Sequence, residues 1–544
     1  MRLKKIASKY VSSEILAILE KLESKGFSAF IVGGCVRDML LQIPPKDFDI
    51  ATDALPSEVV DIFDKAGYKC LEIGKKYGTI SIMPTTINDS TKPQKSTKPI
   101  EQSPKNKANK AMNDFVEITT FRKDSAYIDG RHPQSVEFSK SIYEDLSRRD
   151  FTINALAFAP HATQKASDKA NKNSKQGKII DIFGGLEDLK RKRIACVGKP
   201  SERFSEDYLR ILRALRFASV LGFGIEPKTK KAIKSQIQML DFLPKERVNV
   251  EFSKLLLGDF ACEVLGEYSE VLSVIFGKST IKDCEESLGR DFVEDFGEKF
   301  GKYFDVAGLT PLPVLAPPTP LSLLATLALL KNAPKDLVMR LSVLCYGLFA
   351  KDFDKDFDKF DTKSSRTKST LKNPLKIALK NLRYSNEIIR QVCFLVGFAN
   401  RALAKIYEAH SSQKSLKIAL KLLAKECSPS PLIAEQKMLA LFEFLDIICA
   451  SEPKIAQAKS IFCAVLYHKE CFCLSCLAIS GNEIKSILQK EKNHSLSSRR
   501  VGEVLDFLLR AVIEGQIPNA KSALKSASAK YLGDCGATCK EEKC

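Results

Sequence analysis

Two aspartates in the segment KDFDIAT are two residues apart, in a stretch whose alternating pattern predicts a β-strand. Asp47 and Asp49 would therefore project from the same face of that strand. Two carboxylates held so close repel each other unless a cation lies between them, and hard oxygen ligands suit Mg²⁺. The pair predicts a magnesium site, with a solvated acidic strand edge as the alternative.

A short apolar strand over residues 29–32 leads directly into Gly33 and Gly34, shortly before the aspartate pair. Glycine lets backbone N–H groups approach a ligand closely, and a helix that begins there favours phosphate. Arg37 in that helix supplies a guanidinium. Most Gly-Gly pairs are simple turns, so the phosphate-binding interpretation depends on the aspartates that follow.

A third carboxylate, Glu117, lies in another predicted strand near residues 115–121. If this strand neighbours the aspartate strand, three carboxylates can hold two metal ions. One ion would lower the pKa of an attacking hydroxyl, and the other would bind a triphosphate and stabilise the departing pyrophosphate. Without the aspartate pair, Glu117 would be interpreted as an ordinary surface residue.

The segment DLSRRDFTINALAF, residues 145–158, adds phosphate-binding guanidinium groups at Arg148 and Arg149. Asp150 and Asn154 are four residues apart and are expected on one helix face. An acidic side chain near a nucleotide commonly binds the ribose hydroxyls, which is the role expected for Asp150. A helix N-cap is the equally open alternative for this aspartate.

The segment SEDYLRILRALRF, residues 205–217, predicts a helix on which Asp207 and Arg210 are neighbours. An acceptor beside a donor matches an exocyclic amine beside a bare ring nitrogen, the pattern of cytosine and adenine, whereas uracil and guanine present the reverse. Each mismatched buried polar contact costs about 1–3 kcal/mol. Arg213 and Arg216 drift around the helix by roughly 60° per three residues and are expected to meet phosphates. The alternative is a charged helix face that binds RNA or solvent.

The elements that position these residues change along the chain. Short strands and helices are mixed up to about residue 160, and the pattern from about residue 180 onward is almost purely helical. The sequence therefore predicts an α+β head followed by a long all-α region. Three segments rich in polar residues cannot bury enough apolar surface to offset their ordering entropy and are expected to be disordered insertions, namely residues 88–113, 161–178 and 351–373.

The chain of 544 residues carries 85 Lys and Arg against 66 Asp and Glu, a net charge of +19, which predicts a polyanionic partner. The most apolar run, residues 321–330, is shorter than the roughly 20 residues that a membrane span needs. The basic N-terminus is not followed by an uninterrupted apolar stretch. We therefore expect a cytoplasmic protein with no membrane partner.

The sixteen cysteines of this long chain are expected to be reduced thiols rather than a disulfide framework. Two clusters stand out, one over residues 463–476 and one over residues 535–544. Neither has the paired spacing that is typical of zinc sites, so buried thiols are the favoured interpretation.

Taken in order, five segments resemble the successive motifs of the class II CCA-adding tRNA nucleotidyltransferases and bacterial poly(A) polymerases: GGCVRDMLL…KDFDIAT, FVEITTFRKDSAYIDGRHPQSVEF, SRRDFTINALAF, DIFGGLEDLKRKRIACVGKP and SEDYLRILRALRF. The ordered set covers roughly residues 15–260 and is more specific than any single motif. The resemblance implies a polymerase-β-like nucleotidyltransferase head (residues 1–160), a helical neck that selects the base (residues 179–260), and a helical body and tail that bind tRNA (residues 261–544).

The resemblance also implies roles for single residues. The two aspartates of the family's DxD motif bind Mg²⁺ and act in catalysis with the strand carboxylate, which here means Asp47, Asp49 and Glu117. Together with the arguments above, it predicts that ten residues bind the nucleotide: Gly33, Gly34, Arg37, Arg149, Asp150, Asn154, Asp207, Arg210, Arg213 and Arg216.

The implied activity is template-independent addition of CCA to tRNA 3′ ends from CTP and ATP, with release of pyrophosphate and Mg²⁺ as cofactor. FRKDSAYIDGRHPQSVEF resembles the flexible loop that the family needs for the switch from C to A addition, which favours the complete activity. A poly(A) polymerase or A-adding enzyme of the same family, and an inactive RNA-binding homologue, are the alternatives. Nucleotidylation of small molecules is disfavoured by the long helical region and the basic charge.

Overall fold

A computed structural model of the chain describes residues 9–83, 115–124, 136–160, 177–277, 323–349, 374–409, 412–490 and 498–541. It divides into two compact units, Met1–Phe260 and Ala261–Cys544. The expected insertions at 88–113 and 351–373 lie outside the described residues. So does most of 161–178, although a strand begins at Lys178.

The first unit contains eleven strands within its described residues: β1 (Ala29–Val32), β2 (Asp49–Thr52), β3 (Lys69–Leu71), β4 (Thr79–Met83), β5 (Val116–Thr120), β6 (Arg122–Asp124), β7 (Val136–Phe138), β8 (Leu156–Ala159), β9 (Lys178–Asp181), β10 (Arg193–Ile194) and β11 (Gly224–Ile225). Seven of them form one mixed sheet in the order β3-β4-β5-β2-β1-β8-β9. All its pairs are antiparallel except β2 with β5.

The centre of this sheet follows from its apolar runs. The strands β1 (AFIV) and β8 (LAFA) bury every residue, as continuous apolar runs predict for strands covered on both faces. The register pairs Val32 with Asp49 and Asp49 with Glu117. The turn after β1 and two of the candidate carboxylates therefore lie at the same edge of the sheet. Through β9, the sheet extends past the head boundary of residue 160 expected from the sequence.

Nine helices surround this sheet or follow it in the described part of the first unit: α1 (Ser13–Ser24), α2 (Gly34–Leu40), α3 (Pro56–Asp64), α4 (Ile142–Ser147), α5 (Gly185–Lys190), α6 (Pro200–Glu206), α7 (Leu209–Leu221), α8 (Pro227–Gln236) and α9 (Lys245–Leu256). The expected all-α neck has one exception, because β10 and β11 pair in parallel within it. Three 3₁₀ segments lie at Lys75–Tyr77, Thr152–Asn154 and Ile237–Phe242.

The described part of the second unit is helical: α10 (Ala261–Glu267), α11 (Glu270–Phe276), α12 (Leu323–Asn332), α13 (Leu337–Phe349), α14 (Pro374–Asn381), α15 (Asn386–Glu408), α16 (Gln413–Cys427), α17 (Pro431–Ile448), α18 (Pro453–Tyr467), α19 (Gly481–Lys490), α20 (Ser498–Glu514) and α21 (Lys521–Glu541). Across the described ranges, no helix combines the length and the apolar composition needed to cross a bilayer.

The cysteine cluster over residues 463–476 is partly buried in the second unit. Cys471 belongs to a hydrophobic core cluster, and the Sγ atoms of Cys473 and Cys476 are 2.9 Å apart. Cys463 is exposed on α18. The side chains of the cluster at residues 535–544 lie outside the described residues.

Close packing of α7 against α9 depends on a glycine just after α9. The Oγ of Ser219 donates a hydrogen bond to the Leu255 carbonyl at 2.6 Å, and Phe260 N donates to the Ser219 carbonyl at 2.9 Å. A Cβ on Gly258 would lie 2.0 Å from Ser219 Oγ and 2.5 Å from its carbonyl oxygen. Any side chain at this position would therefore force the two helices apart.

We expect Gly258→Ala to destabilise the first unit by about 1–3 kcal/mol, because overpacking against backbone cannot be relieved by a rotamer change. Urea denaturation followed by circular dichroism measures the loss. Gly224→Ala is the matched control, since a Cβ there meets nothing within 4 Å. Equal midpoints for wild type and Gly258→Ala would contradict the packing argument.

Candidate active site

The turn after β1 holds a guanidinium close to the backbone. Gly33 has φ +84°, in the left-handed region where glycine carries no steric penalty. A Cβ at this position would lie 2.9 Å from Arg149 Nη1 and 3.8 Å from Asp49 Oδ2. The missing side chain therefore leaves room for the Arg149 guanidinium next to the backbone, on the side of the turn that faces Asp49.

The candidate carboxylates meet at the neighbouring strand ends. Asp49 begins β2, whereas Asp47 lies just before the strand, so the expectation that one strand carries both was wrong. Glu117 is opposite Asp49 in the parallel register, as the metal hypothesis requires. Partial loss of solvent raises the pKa of Asp49; Arg149 opposes this effect and Asp47 adds to it. Loss of solvent, then Asp49 and Asp47, likewise raise the pKa of Glu117.

This donor set fits a divalent cation. A cation between the carboxylates would remove the mutual repulsion that helps raise the pKa of Glu117. Carboxylate oxygens are the ligands that hard divalent ions prefer. In the part of the chain that the structure describes, no three acidic, histidine or cysteine side chains form a finished ligand set. The three carboxylates are therefore not gathered into a ligand set in the structure, and their role as metal ligands stays a prediction.

A pocket of about 420 Å³ adjoins Asp49, and neither Asp47 nor Glu117 is among its lining residues. The lining residues are Gly33, Gly34, Arg37, Asp49, Arg148, Arg149, Asp150, Asn154, Asp207, Arg210, Arg213, Arg216 and Phe217. The structure thus brings together all ten predicted nucleotide-binding residues. The volume of the pocket is within the range of small-molecule sites.

Hydrogen bonds join two pocket residues that follow α4, Asp150 and Asn154, to Arg37 of α2. Arg37 Nη1 donates to Asn154 Oδ1 at 2.7 Å, and Asn154 Nδ2 donates to Asp150 Oδ1 at 3.2 Å. The expectation that Asp150 and Asn154 lie on an α-helix was wrong, because only the 3₁₀ turn Thr152–Asn154 forms there. The two side chains still meet, since that turn brings them within hydrogen-bonding distance.

Asp150 is held by the neck. Its Oδ2 accepts from Arg213 Nε at 2.7 Å, and its Oδ1 accepts from the backbone N–H of Phe151 at 2.8 Å. Burial alone would raise the pKa of Asp150, but Arg213 and these hydrogen bonds hold it below the ordinary value. Asp150 is therefore an ionised partner of an arginine in the pocket and not a helix N-cap.

Arg216, the last pocket arginine of α7, lies against a carboxylate of α9. Arg216 Nε lies 2.7 Å from Glu251 Oε2, and Arg213 is 3.8 Å from the same carboxylate. Both guanidinium groups lie over the ring of Phe217, with Arg216 4.1 Å and Arg213 5.5 Å from its centroid. An aromatic ring and a buried carboxylate thus fix two cations along one wall of the pocket.

The predicted base-reading pair lies at a break between two helices. The expected single helix over residues 205–217 was wrong: α6 ends at Glu206, Asp207 has extended backbone, and α7 begins two residues later. Asp207 Oδ1 accepts from Leu209 N, the first residue of α7, at 3.0 Å. The break turns the Asp207 carboxylate into the pocket without removing it from the neighbourhood of Arg210.

Both members of that pair already have partners. Arg247 Nη2 donates to Asp207 Oδ2 at 2.9 Å, and Arg210 Nη1 donates to Glu206 Oε2 at 2.6 Å. Arg210 also donates to the Arg148 carbonyl at 3.2 Å, which ties the neck to the head. A ligand base would have to replace these contacts or share them.

Sequence reasoning missed Arg247 and Glu251, which lie four residues apart on α9. The segment ERVNVEF reads as an ordinary amphipathic helix, in which charged residues are assigned to solvent. Their partners lie about 35–40 residues earlier in the chain. Buried charges need partners, but the pattern of one helix does not show which of its charges are buried.

Two regions of the chain match known families. Residues 29–195 match the poly A polymerase head domain, and residues 222–266 match the probable RNA and SrmB-binding site of polymerase A. The CCA-adding enzyme of Leuconostoc citreum is 42% identical over 248 residues, covering 46% of this chain and 50% of that protein. The CCA-adding enzyme of Lactococcus lactis is 39% identical over 258 residues, covering 47% and 53%. The chain thus spans about half the length of the curated relatives it matches.

Solved structures match over more of the chain. The crystal structure of the Bacillus stearothermophilus CCA-adding enzyme in complex with CTP has a TM-score of 0.58 and 24% identity, and covers 98% of both chains. The Thermotoga maritima CCA-adding enzyme complexed with tRNA has a TM-score of 0.55 and 18% identity, and covers 98% of this chain and 99% of that one. These similarities confirm the predicted α+β fold, a mixed-sheet head followed by a mostly helical remainder.

A buried carboxylate supports the two arginines that precede Asp150. Asp145 is fully buried and accepts hydrogen bonds from Arg148 Nη2 at 2.6 Å and from Arg149 Nη2 at 3.1 Å. Burial alone would raise the pKa of Asp145, but the two guanidinium groups outweigh it and hold the pKa below the ordinary value.

We expect Asp145→Asn to destabilise the first unit by about 3–5 kcal/mol at pH 7, because two partly buried cations lose their counter-charge. A lowered folded-state pKa gives stability that is complete above the unfolded value, near 4, and is lost as the pH falls through the folded value. The difference in melting temperature between wild type and variant should therefore shrink as the pH is lowered from 7 towards 3.

The control for Asp145→Asn is Glu187→Gln, which removes an exposed ion pair with Arg191 and should change stability by less than about 1 kcal/mol. If the Asp145→Asn difference stayed constant with pH, the buried-pair explanation would be wrong.

Proposed function

We propose that the chain adds CCA to the 3′ ends of tRNA from CTP and ATP, releasing pyrophosphate, because residues 29–195 and 222–266 match the two polymerase A family models and the relatives over this region are CCA-adding enzymes. The observation that carries the proposal is the shared pocket. It brings cationic side chains for a triphosphate, a donor–acceptor pair for a base edge and a carboxylate for a metal ion into about 420 Å³. Poly(A) or A-only addition uses the same residues and is distinguished below by its products.

The arginines of the pocket would bind the triphosphate. Arg37 and Arg149 lie beside the glycine turn, and Arg213 and Arg216 lie over the ring of Phe217, as Arg37 also does. A guanidinium group can bind a phosphate through two parallel hydrogen bonds, and the partial burial of these side chains strengthens each contact. In the reaction the tRNA 3′ hydroxyl oxygen forms a bond to the α-phosphorus, the bond from that phosphorus to the bridging oxygen breaks, and pyrophosphate leaves. The arginines would stabilise the charge that moves onto the departing oxygens.

Asp47, Asp49 and Glu117 would hold Mg²⁺, as two ions in the mechanism we favour. When bound, these ions would lower the pKa of the attacking hydroxyl and stabilise the pyrophosphate. The carboxylates' own contribution is to gather negative charge at the sheet edge, next to the Arg149 guanidinium. Asp150 would accept from the ribose hydroxyls once Arg213 turns towards phosphate, because the two share a hydrogen bond in the structure.

Base selection would proceed by exchange of partners. Arg247 and Glu206 satisfy Asp207 and Arg210, respectively, with the same donors and acceptors that a cytosine or adenine edge offers. A matching base would replace these contacts and keep both Asp207 and Arg210 paired. Uracil or guanine would leave at least one buried group unsatisfied, at about 1–3 kcal/mol per group. Arg247 would therefore position Asp207 between turnovers.

We expect Asp49→Asn to lower nucleotide incorporation by at least about a hundredfold, because the reaction loses a carboxylate where charge must be stabilised. The measurement is extension of a tRNA that lacks its CCA end, with each NTP in turn and with CTP and ATP together. EDTA should abolish incorporation, and added Mg²⁺ should restore it.

The control is Glu72→Gln, which removes an exposed ion pair with Lys75 in the same sheet region. Full activity of Asp49→Asn would remove the metal assignment. Long products from ATP alone would favour poly(A) addition, and no product from the wild type would favour the inactive RNA-binding homologue.

We expect Asp207→Ala to lose discrimination for CTP and ATP over UTP and GTP by about tenfold or more, or to lose activity with Mg²⁺ binding retained. The kcat/KM for each nucleotide measures the change. Asp241→Asn is the matched control, because this neck carboxylate pairs with Lys245 on the surface. Unaltered selectivity in Asp207→Ala would eliminate the base-reading assignment.

A further inference from the structure

Two thiols face each other in the connection between α18 and α19. The Sγ atoms of Cys473 and Cys476 are 2.9 Å apart. Cys473 is the N-cap residue of a 3₁₀ turn over Leu474–Cys476, and the Cys476 N–H donates to the Cys473 carbonyl at 3.0 Å. In a 3₁₀ turn the side chains of residues three apart are eclipsed. The backbone of this turn therefore brings the two sulfurs together.

A disulfide between these thiols needs little movement. Disulfide sulfurs are about 2.05 Å apart, so the two Sγ atoms would approach each other by less than about 1 Å. Asn519 holds the segment in place, because its Nδ2 donates to the Cys476 carbonyl at 2.8 Å and its Oδ1 accepts from Ala478 N at 2.9 Å. The backbone that carries the thiols is thus fixed to the connection between α20 and α21.

The two thiols differ in their access to solvent. Cys473 is 1% exposed, whereas Cys476 is partly exposed. A reagent in solution can therefore reach Cys476 and not Cys473. The Ser475 hydroxyl lies 3.4 Å from Cys473 Sγ, where it can donate a hydrogen bond to a thiolate. One thiol is thus placed to react with a reagent, and the other is placed to react with the product.

We propose that Cys473 and Cys476 are a redox modification site, a dithiol that a small-molecule disulfide oxidises reversibly to an intramolecular disulfide. The site takes no part in the proposed nucleotide transfer. It gives two of the reduced thiols expected from the sequence a reaction of their own.

Oxidation would take place in two exchange steps. The Cys476 thiolate attacks one sulfur of the small disulfide, which forms a mixed disulfide and releases one small thiolate. The Cys473 thiolate then attacks the Cys476 sulfur, forms the intramolecular S–S bond and releases the second small thiolate. The two protein thiols lose two electrons and two protons, and the small disulfide becomes two small thiols. An excess of a reducing thiol reverses both steps.

A metal ion is the other partner that neighbouring thiols could bind, and the third cysteine of the segment does not suit it. Cys471 belongs to a hydrophobic core cluster, and its Sγ donates to the Cys473 carbonyl at 3.8 Å. Burial raises the pKa of Cys471 to about 12, which opposes the thiolate form that a metal requires. Over the described ranges, no three cysteine, histidine or acidic side chains are placed to hold a metal ion. Two facing thiols without a third ligand favour a disulfide.

The test is thiol mapping by mass spectrometry. The reduced full chain is incubated with oxidised glutathione, alkylated with iodoacetamide and digested with trypsin. Incubation at about pH 8 increases the thiolate fraction of Cys476, whose pKa is raised by loss of solvent and by Cys473. The tryptic peptide 470–485 contains all three cysteines of the segment. We expect it to lose two hydrogens and to carry one alkyl group, on Cys471. Dithiothreitol before alkylation should restore three alkylated cysteines.

Single variants separate the two steps. Cys473→Ser should retain glutathione on Cys476 as a mixed disulfide, and Cys476→Ser should take up none at Cys473. Cys471→Ser is the matched control and should form the wild-type disulfide. Glutathione retained on Cys476 of the wild type, no reaction at either thiol, or a disulfide that includes Cys471 would overturn the proposal. So would zinc released from the purified protein when these thiols are modified.

A comparison of folded and unfolded protein measures the contribution of the turn. The equilibrium constant for oxidation of the pair in a glutathione redox buffer is determined without urea and in concentrated urea. We expect the folded protein to have a constant larger by at least about tenfold, because a crosslink that fits the fold stabilises the folded state by the same factor. Equal constants would show that the fold does not hold the two sulfurs together, and would overturn the proposal even if the variants still fold.

Discussion

Pairing of buried and partly buried arginines with carboxylates is the interaction on which the pocket depends. Arg210, Arg213 and Arg216 project from one helix into one cavity, where three cations would repel each other. Each lies against an acidic group from another element: Glu206, Asp150 and Glu251. Because a buried charge without a partner costs several kcal/mol, these pairs fix the positions of α6, α7 and α9 around the cavity.

The same pairing makes the pocket ready for a charged ligand. A triphosphate offers the arginines the same kind of oxygen that the carboxylates offer, so binding exchanges one set of partners for another. Asp207 and Arg247 are arranged in the same way for a neutral ligand edge. The cost of assembling the cations is met during folding and not during each binding event. A site of this kind can be rigid and still give up its internal contacts to a substrate.

Most of the site could be predicted from sequence because its residues lie in short segments with local signals. The strand and turn patterns of the sequence were enough to predict the places of Asp49 and Gly33. Whether the strand of Glu117 lies beside that of Asp49 could be known only from the register of the sheet. The break at Asp207 could not be predicted, because a strong helical periodicity runs through it. Arg247 was missed for a similar reason: whether its charge is buried depends on tertiary packing and not on the periodicity of its own helix.

The pairing of β4 with β5 allows the chain between these two strands to vary in length. Ile82 and Val116 are paired across β4 and β5, so the backbone entering and leaving the intervening stretch is fixed by ladder hydrogen bonds. Closure entropy grows only with the logarithm of loop length, by about 0.6 kcal/mol for each doubling. Residues can therefore be gained or lost between these two strands over evolutionary time at little thermodynamic cost, while the edge that carries Glu117 keeps its geometry.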